Sequence, residues 1–371
     1  MEDFKEQLIK LKPEQYANLK GSWITIDEAV EQAKAEMEAE MLAERHNEQL
    51  GLYCRYDKLN KVMTKYFRFD SVIMLAGLSG HAKSYLLNMF EMDFTDPSIN
   101  GNFKQPIAIL SFKWEMNAKD EVTRAVSSKY SQTSGKPISY NYLLSSEWDR
   151  EKGRYNAISD AELLLINKHT DALKGKPIYY VETAGSLTKL QYQVMVFLNE
   201  HPELAIYRKG KLVGYSLIIT IDHTLLAKKE EKESDLQLQA ETALVAIRLR
   251  KSYGAMVILL NQLNGEIEKA ERRSNKALHY PVKTDVHCGN QIYWACDYVL
   301  ISNMPEKLKI TNYGIAGLNT KGLVHLSAIK VRRGSPADIF FEDELHKGQL
   351  RQLEESDLSE KKATNVFTDF D

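Results

Sequence analysis

Apolar residues in this chain fall into short unbroken runs separated by longer stretches of helical spacing. The runs SVIMLAG at 71–77, PIAILSF at 106–112, PIYYVET at 177–183, SLIITID at 216–222 and AMVILLN at 255–261 contain few polar positions, so each strand must be covered on both faces. Such strands alternating with helical segments predict an α/β fold with a mostly parallel sheet flanked by helices. DYVLIS at 297–302 and VHLSAIKVRR at 324–333 predict further strands, the second as half of a hairpin.

Ahead of the first strand, residues 25–50 (TIDEAVEQAKAEMEAEMLAERHNEQL) predict one helix, opened by the capping-box pair Thr25 and Glu28 and closed by Gly51. Its apolar positions Ile26, Val30, Ala33, Met37 and Met41 make one narrow stripe, which needs a partner surface in its own domain or on a neighbouring subunit. From Ser127 to about Lys152 the chain is rich in Ser, Tyr and Lys without clear period, which predicts an irregular surface excursion. The polar end, 354–371, predicts a flexible tail carrying Phe367 and Phe370 between acids. The domains expected are therefore an N-terminal helical arm over 1–50, a core over 51–353 and the tail.

Composition narrows the function. The 371 residues carry a formal net charge of -2, so no general positive field surrounds the chain and any nucleic-acid contact must be local. Three cysteines, Cys54, Cys288 and Cys296, are too few and too scattered for a disulfide framework or a zinc module, and no His spacing suits a metal. Neither a targeting segment nor a membrane-length apolar run is present, so a soluble protein of a reducing cytoplasm, bacterial or phage-infected, is expected.

The most informative segment follows the first strand: Gly77-Leu78-Ser79-Gly80-His81-Ala82-Lys83-Ser84, then the helical pattern YLLNMF. This is the GxxxxGK[ST] phosphate loop with Ala82 where the last glycine usually stands. In such a loop the backbone N–H groups and the helix N-terminus hold phosphates, the lysine reaches the β and γ oxygens, and the hydroxyl holds Mg²⁺. Gly77, Ser79, Gly80, His81, Ala82, Lys83 and Ser84 are thus candidates to bind ATP or another nucleoside triphosphate. Asp222, ending the strand SLIITID, is the matching acid for the metal beside Ser84.

From about Gly51 to Leu353 the chain resembles the RecA-like ATPase domain of DnaB-type hexameric replicative DNA helicases. GLYCRYDKLNKVM is similar to that family's lead-in, ILSFKWEM at 109–116 to its F-S-x-E-M strand end, VILLNQLNGEIEK at 257–269 to its L-S-Q-L-N-R segment, and Asp222-His223 to its D-H or D-Y pair. TDVHCGNQIYWACDYVLI aligns with the DNA-loop segment at Asp285, Ile292 and Asp297, with His287 replacing an arginine. Ala-Ile-Lys330-Val-Arg332-Arg333-Gly334 looks like the K-x-R-x-G hairpin. The resemblance implies roles residue by residue. Glu115 polarises the attacking water, and Arg124 touches the nucleotide base. Gln262 links the γ-phosphate to the DNA loop. Lys330 and Arg332 reach a neighbouring subunit's γ-phosphate, and Lys283, His287 and Asn290 meet single-stranded DNA in a central channel.

The implied protein is an ATP- and Mg²⁺-dependent homo-hexameric helicase of phage or mobile-element kind, without the family's usual N-terminal collar. A polymerase, primase or single-strand binding protein would engage the tail. A RecA-like recombinase or DNA-remodelling ATPase is the competing class, and a non-catalytic ring is a third. For Trp114, Tyr293 and Trp294, core packing is expected ahead of base stacking. The charge run AKKEEKESD at 227–235 reads as a solvated loop.

Overall fold

The computed structural model describes residues 23–136, 138–208, 210–229, 234–287 and 289–363. Two compact units divide the chain, Met1–Leu50 and Gly51–Asp371.

The first unit contributes helix α1, Ile26–His46. Thr25 accepts the Glu28 N–H while the Glu28 carboxylate accepts the Thr25 N–H, a reciprocal cap worth about 1 kcal/mol. The helix ends earlier than Gly51 suggested. Asn47 takes the left-handed conformation at φ 52° and donates its N–H back to the last turn, a stop that asparagine tolerates better than other side chains. Ile26, Val30, Met37 and Met41 are all exposed.

In the second unit, strands β1 (Ser71–Gly77), β2 (Ala108–Lys113), β3 (Ile178–Val181), β4 (Leu217–Asp222), β5 (Met256–Gln262), β6 (Tyr298–Asn303), β7 (Leu323–Val331), β8 (Ala337–Glu344) and β9 (Gln349–Gln352) form one sheet in the order β9-β8-β7-β6-β1-β5-β4-β2-β3. The six strands from β6 to β3 are mutually parallel, and β7, β8 and β9 extend one side antiparallel. The main helices are α2 (Lys83–Phe94), α3 (Ala118–Ser134), α4 (Asp160–Asp171), α5 (Leu187–Glu200), α6 (Asp235–Tyr253), α7 (Gly289–Ala295) and α8 (Glu355–Ala363).

Alternation along β1 explains the unbroken apolar runs. Val72, Met74 and Ala76 join one core with Leu190 and Val194 of α5 and Leu238 and Leu249 of α6. Ile73 and Leu75 join the opposite core with Leu86, Leu87 and Phe90 of α2. Both faces are dry, so neither can be polar.

Three segments differ from expectation. Helix α3 continues to Ser134 rather than breaking at Ser127, because Val126 and Tyr130, one turn apart, bury against Ile138 and Ile166 in a small satellite core. Two apolar anchors suffice where most positions are polar. Strand β8 is the hairpin partner that the segment 324–333 implied, and β9 appears beyond it where no strand was expected. At the C-terminus, α8 stands where a flexible tail was expected from 354, fastened by Arg351 to Asp357 (3.3 Å) and by Lys361 to Glu342 (2.9 Å). Phe367 and Phe370 lie outside the described residues. Within the described residues, no helix is long and apolar enough to cross a membrane.

Candidate nucleotide site

Strand β1 ends at Gly77, and the chain turns through Ser79 and Gly80, both exposed, into α2. Gly80 needs its glycine, with φ at 74°. Ala82 also sits left-handed, at φ 64° and ψ 10°. That is why glycine is usual there, and why the smallest side chain is the substitute, at a strain of about 1 kcal/mol. His81 is buried and fixes the loop from beneath: its carbonyl accepts from Ser302 Oγ, and its Nδ1 accepts the Met304 N–H at 3.0 Å. Burial, then the charges of Lys307 and Lys83, push its pKa down to about 4, so the ring is neutral as that acceptor role requires.

Lys83 opens α2. Its ammonium donates to the Leu78 carbonyl at 2.7 Å and to Gln262 Oε1 at 3.4 Å. Burial lowers its pKa to about 8, with Glu115 and Asp222 opposing the fall. Ser84 follows on the first helical turn, half-buried.

Asp222 ends β4, directly opposite Lys113 at the end of β2. Among the described residues neither of its carboxylate oxygens has a hydrogen-bond partner, although both are buried. Burial is the main cause that pushes its pKa up to about 6. Lys113 works against the rise, and Glu121, Glu115 and Glu91 add to it. An unsatisfied acid of this kind, at the same edge of the sheet as the Lys83 ammonium and the Ser84 hydroxyl of the helix N-terminus, has the donor chemistry of a magnesium–phosphate site. The residues present therefore fit ATP with Mg²⁺. Glu115, two residues beyond β2, is half-exposed, with His223 Nε2 at 3.9 Å from its carboxylate.

Gln262 ends β5 beside Gly77. Its side chain meets Lys83, and its carbonyl accepts the His287 N–H at 3.0 Å. The next residues continue the pairing, Leu263 bridging Val286 and Asn264 donating its N–H to the Asp285 carbonyl at 2.7 Å. A backbone ladder thus joins the end of β5 to the loop of His287. Lys283 lies on this loop with its ammonium 4.2 Å from the centre of the Trp294 ring. The Asn290 side chain and Cys288 lie outside the described residues, as do residues 230–233 of the expected charged loop.

Arg124 is placed 3.6 Å from the carboxylate of Glu121, on the same helix as that buried acid. Lys330 and Arg332 stand apart from the phosphate loop of their own chain. Strand β6 runs with β1 and finishes with Ser302 beside Gly77, whereas β7 runs back, so that Leu326 faces Ser302 and Lys330 faces Val299. Four residues of strand, roughly 13 Å, separate Lys330 from the edge that carries the loop. Lys330 donates to the Tyr293 carbonyl at 2.7 Å, closing the end of α7, and Arg332 pairs with Asp297 at 3.1 Å.

One expectation fails here: Trp294 is 64% exposed, with the Lys283 and Lys330 ammoniums 4.2 Å and 5.6 Å from its ring centre, rather than packed in the core. Trp114 and Tyr293 do pack against the core. Three charged residues of the site escaped notice in the sequence: Lys113, Glu91 and Glu121, all buried. The available signal was a lysine closing the otherwise apolar run of β2. Among the described residues no cluster of His, Cys, Asp and Glu is arranged to hold a metal by itself, so any magnesium would depend on phosphate oxygens for part of its shell.

A mostly parallel sheet bearing a strand, phosphate-type loop and helix at its carboxyl edge, extended by antiparallel strands, is a RecA-like fold. The chain is similar in structure to a solved ATPase domain, with a TM-score of 0.66 at 15% identity, covering 89% of this chain and 99% of that one. It is likewise similar to a DnaB-like replicative helicase whose structure was described with its interactions with primase, with a TM-score of 0.67 at 16% identity, covering 94% and 73%. At these identities the likeness is one of fold, and it agrees with the DnaB-type resemblance of the sequence. No family model and no curated protein matches the sequence.

Proposed function

We propose that this chain is the motor subunit of an ATP-driven hexameric helicase that translocates on single-stranded DNA and unwinds duplex during replication. The observation that carries the reading is the division of polar and charged groups between two places. Lys83, Ser84, Glu115, Asp222 and Gln262 gather at the carboxyl edge of the sheet, while Lys330 and Arg332 sit a strand's length away. A subunit built in this way completes its site with a neighbour's basic pair.

In this reading the loop N–H groups and Lys83 hold the β and γ phosphates, and Ser84 and Asp222 hold the metal. Magnesium, when bound, withdraws charge from the phosphate oxygens. Glu115 orients a water in line with the γ-phosphorus and accepts its proton. Arg332 of the adjacent subunit stabilises the charge spread over the transferring group, a contribution of roughly 10³ to 10⁵ in rate for such fingers. Lys330 assists after releasing the α7 carbonyls. Arg124, tied to Glu121, is proposed to approach the nucleotide from α3. Gln262 exchanges Lys83 for the γ-phosphate, and the ladder to His287 carries that change to the loop where Lys283, His287 and Asn290 meet DNA phosphates. The exposed stripe of α1 is proposed to dock on an adjacent subunit.

The test is ATPase activity with and without single-stranded DNA, run beside strand separation on a forked duplex. ATP turnover stimulated by DNA together with fork unwinding supports the reading. Stimulated turnover with pairing but no unwinding would move the chain to the recombinase class. No turnover in either condition would overturn it.

A further inference from the structure

Lys113 is a fully buried cation that the roles above leave unused. Its ammonium lies 3.4 Å from Glu91 Oε1, 3.8 Å from Glu121 Oε2 and 3.9 Å from Asp222 Oδ2. Charge-assisted hydrogen bonds run nearer 2.7–2.9 Å, roughly, and among the described residues no atom accepts a hydrogen bond from this ammonium. It therefore sits among three acids, nearest Glu91, and makes a short hydrogen bond to none of them.

The three acids are not equivalent. Glu91, on α2, accepts from Ser111 Oγ and Thr220 Oγ1, each at 2.7 Å. Glu121, on α3, accepts from Asn88 Nδ2 at 2.7 Å. Both are pinned. Asp222 has no hydrogen bond on either carboxylate oxygen, so the ammonium is its nearest countercharge. Lys113 and Asp222 face each other in register at the ends of β2 and β4. A cation arriving at Ser84 would meet an acid already attended by another cation. Three carboxylates within 4 Å of the ammonium favour its charged form.

We propose that Lys113 is a positioning residue that shares Asp222 with the incoming metal and so sets the Mg²⁺ concentration at which the site fills. This rests on the nucleotide-site reading above. Two fixed acids retain the ammonium while Asp222 is free to turn from it, so the lysine holds the acid in place when no metal is bound and resists the metal's entry by its like charge. The bland role is neutralisation of Glu91 alone.

A paired substitution separates the two. Lys113→Met leaves three buried acids facing one another and is expected to be unstable. Lys113→Met with Glu91→Gln removes one charge of each sign, so the cluster keeps its net charge, and the glutamine oxygen still accepts from Ser111 and Thr220. The measurement is ADP binding by the full chain in titration calorimetry across a series of Mg²⁺ concentrations, with thermal unfolding as the check on folding. The double variant is expected to unfold near the wild-type temperature and to need about threefold less Mg²⁺ for half-maximal ADP binding, because the like charge nearest Asp222 has gone. An unchanged Mg²⁺ requirement in a stable double variant would reduce Lys113 to a partner of Glu91 and overturn the proposal. A double variant as unstable as the single one would also overturn it, since the lysine would then serve the acids jointly as a structural group. Failure of the wild-type chain to bind ADP at any Mg²⁺ concentration would instead remove the nucleotide-site reading, and this inference with it.

Discussion

Gly77→Ala tests the site with a single methyl group. A Cβ at this position would lie 2.6 Å from the Ser302 carbonyl oxygen and 3.0 Å from Lys83 Cγ. The oxygen belongs to β6, whose register with β1 places Ser302 opposite Gly77, and Ser302 is further held by its hydroxyl on the His81 carbonyl. Neither strand can yield alone. Overpacking of this sort costs about 1–3 kcal/mol, while replacing glycine returns about 0.4–1 kcal/mol through the unfolded chain. The net loss is about 1–2 kcal/mol, which lowers the melting temperature by about 1.5–3 °C in a domain of this size. The larger effect falls on Lys83, whose stem is the softer of the two obstacles. Displacement of a phosphate-binding group by about 1 Å can cost roughly a hundredfold in turnover. Calorimetric melting and ATPase rates measure the two effects. Ala82→Gly is the control, because relief of about 1 kcal/mol of left-handed strain is offset by a lost buried methyl of about 0.8 kcal/mol and by a more flexible unfolded chain. Stability should stay within about 1 kcal/mol of wild type, with nucleotide binding kept. A Gly77→Ala chain that melts and hydrolyses ATP like wild type would refute the close approach of Gly77, Ser302 and Lys83.

Lys83→Ala is expected to abolish ATP hydrolysis, whereas Glu115→Gln should bind nucleotide near wild-type strength and stop turnover; equilibrium binding and phosphate release separate the two defects. Because burial lowers the Lys83 pKa to about 8, the ammonium is present below that pH and lost above it, so nucleotide affinity should weaken as pH rises past about 8. Lys83→Arg, which stays charged, should flatten that slope; an equally steep slope in Lys83→Arg would assign it to another group. Mixing Arg332→Ala chains with Lys83→Ala chains should restore part of the ATPase activity that each lacks alone, and no recovery in demonstrably mixed assemblies would count against a shared site.

The parallel strands β1, β2, β4, β5 and β6 were legible because burial on both faces leaves little room for polar residues, whereas β3, at the edge of the sheet, is apolar but only partly buried. Strand β8 was not legible from its own residues, since Asp338, Glu342, Asp343 and Glu344 interrupt it. Asp338 satisfies His325 Nε2 at 2.8 Å and Ser327 Oγ at 2.7 Å across the ladder, so the strand's polarity is answered by its neighbour rather than by water. Helix α8 was hidden in the same way, its fastenings being charge pairs to Arg351 and Glu342 on the strands before it. In the site, the residues at strand ends were readable from their position after apolar runs. Lys113 was masked by that rule itself, because a charge closing a strand usually faces solvent, and only the three-dimensional meeting of α2, α3 and β4 shows that this one does not.

If Lys330 and Arg332 complete a neighbour's site as proposed above, their separation from the phosphate loop has a stoichiometric consequence. A subunit with unlike surfaces associates head to tail, and such an arrangement either closes or runs on as a helix. An open row of such chains always ends with one loop lacking its basic pair and one basic pair lacking its loop. A pair of chains thus offers a single competent site, whereas closure gives every chain one. Catalysis per chain would climb with each added member and step up once more at closure, so the final contact would be rewarded twice, in binding and in turnover.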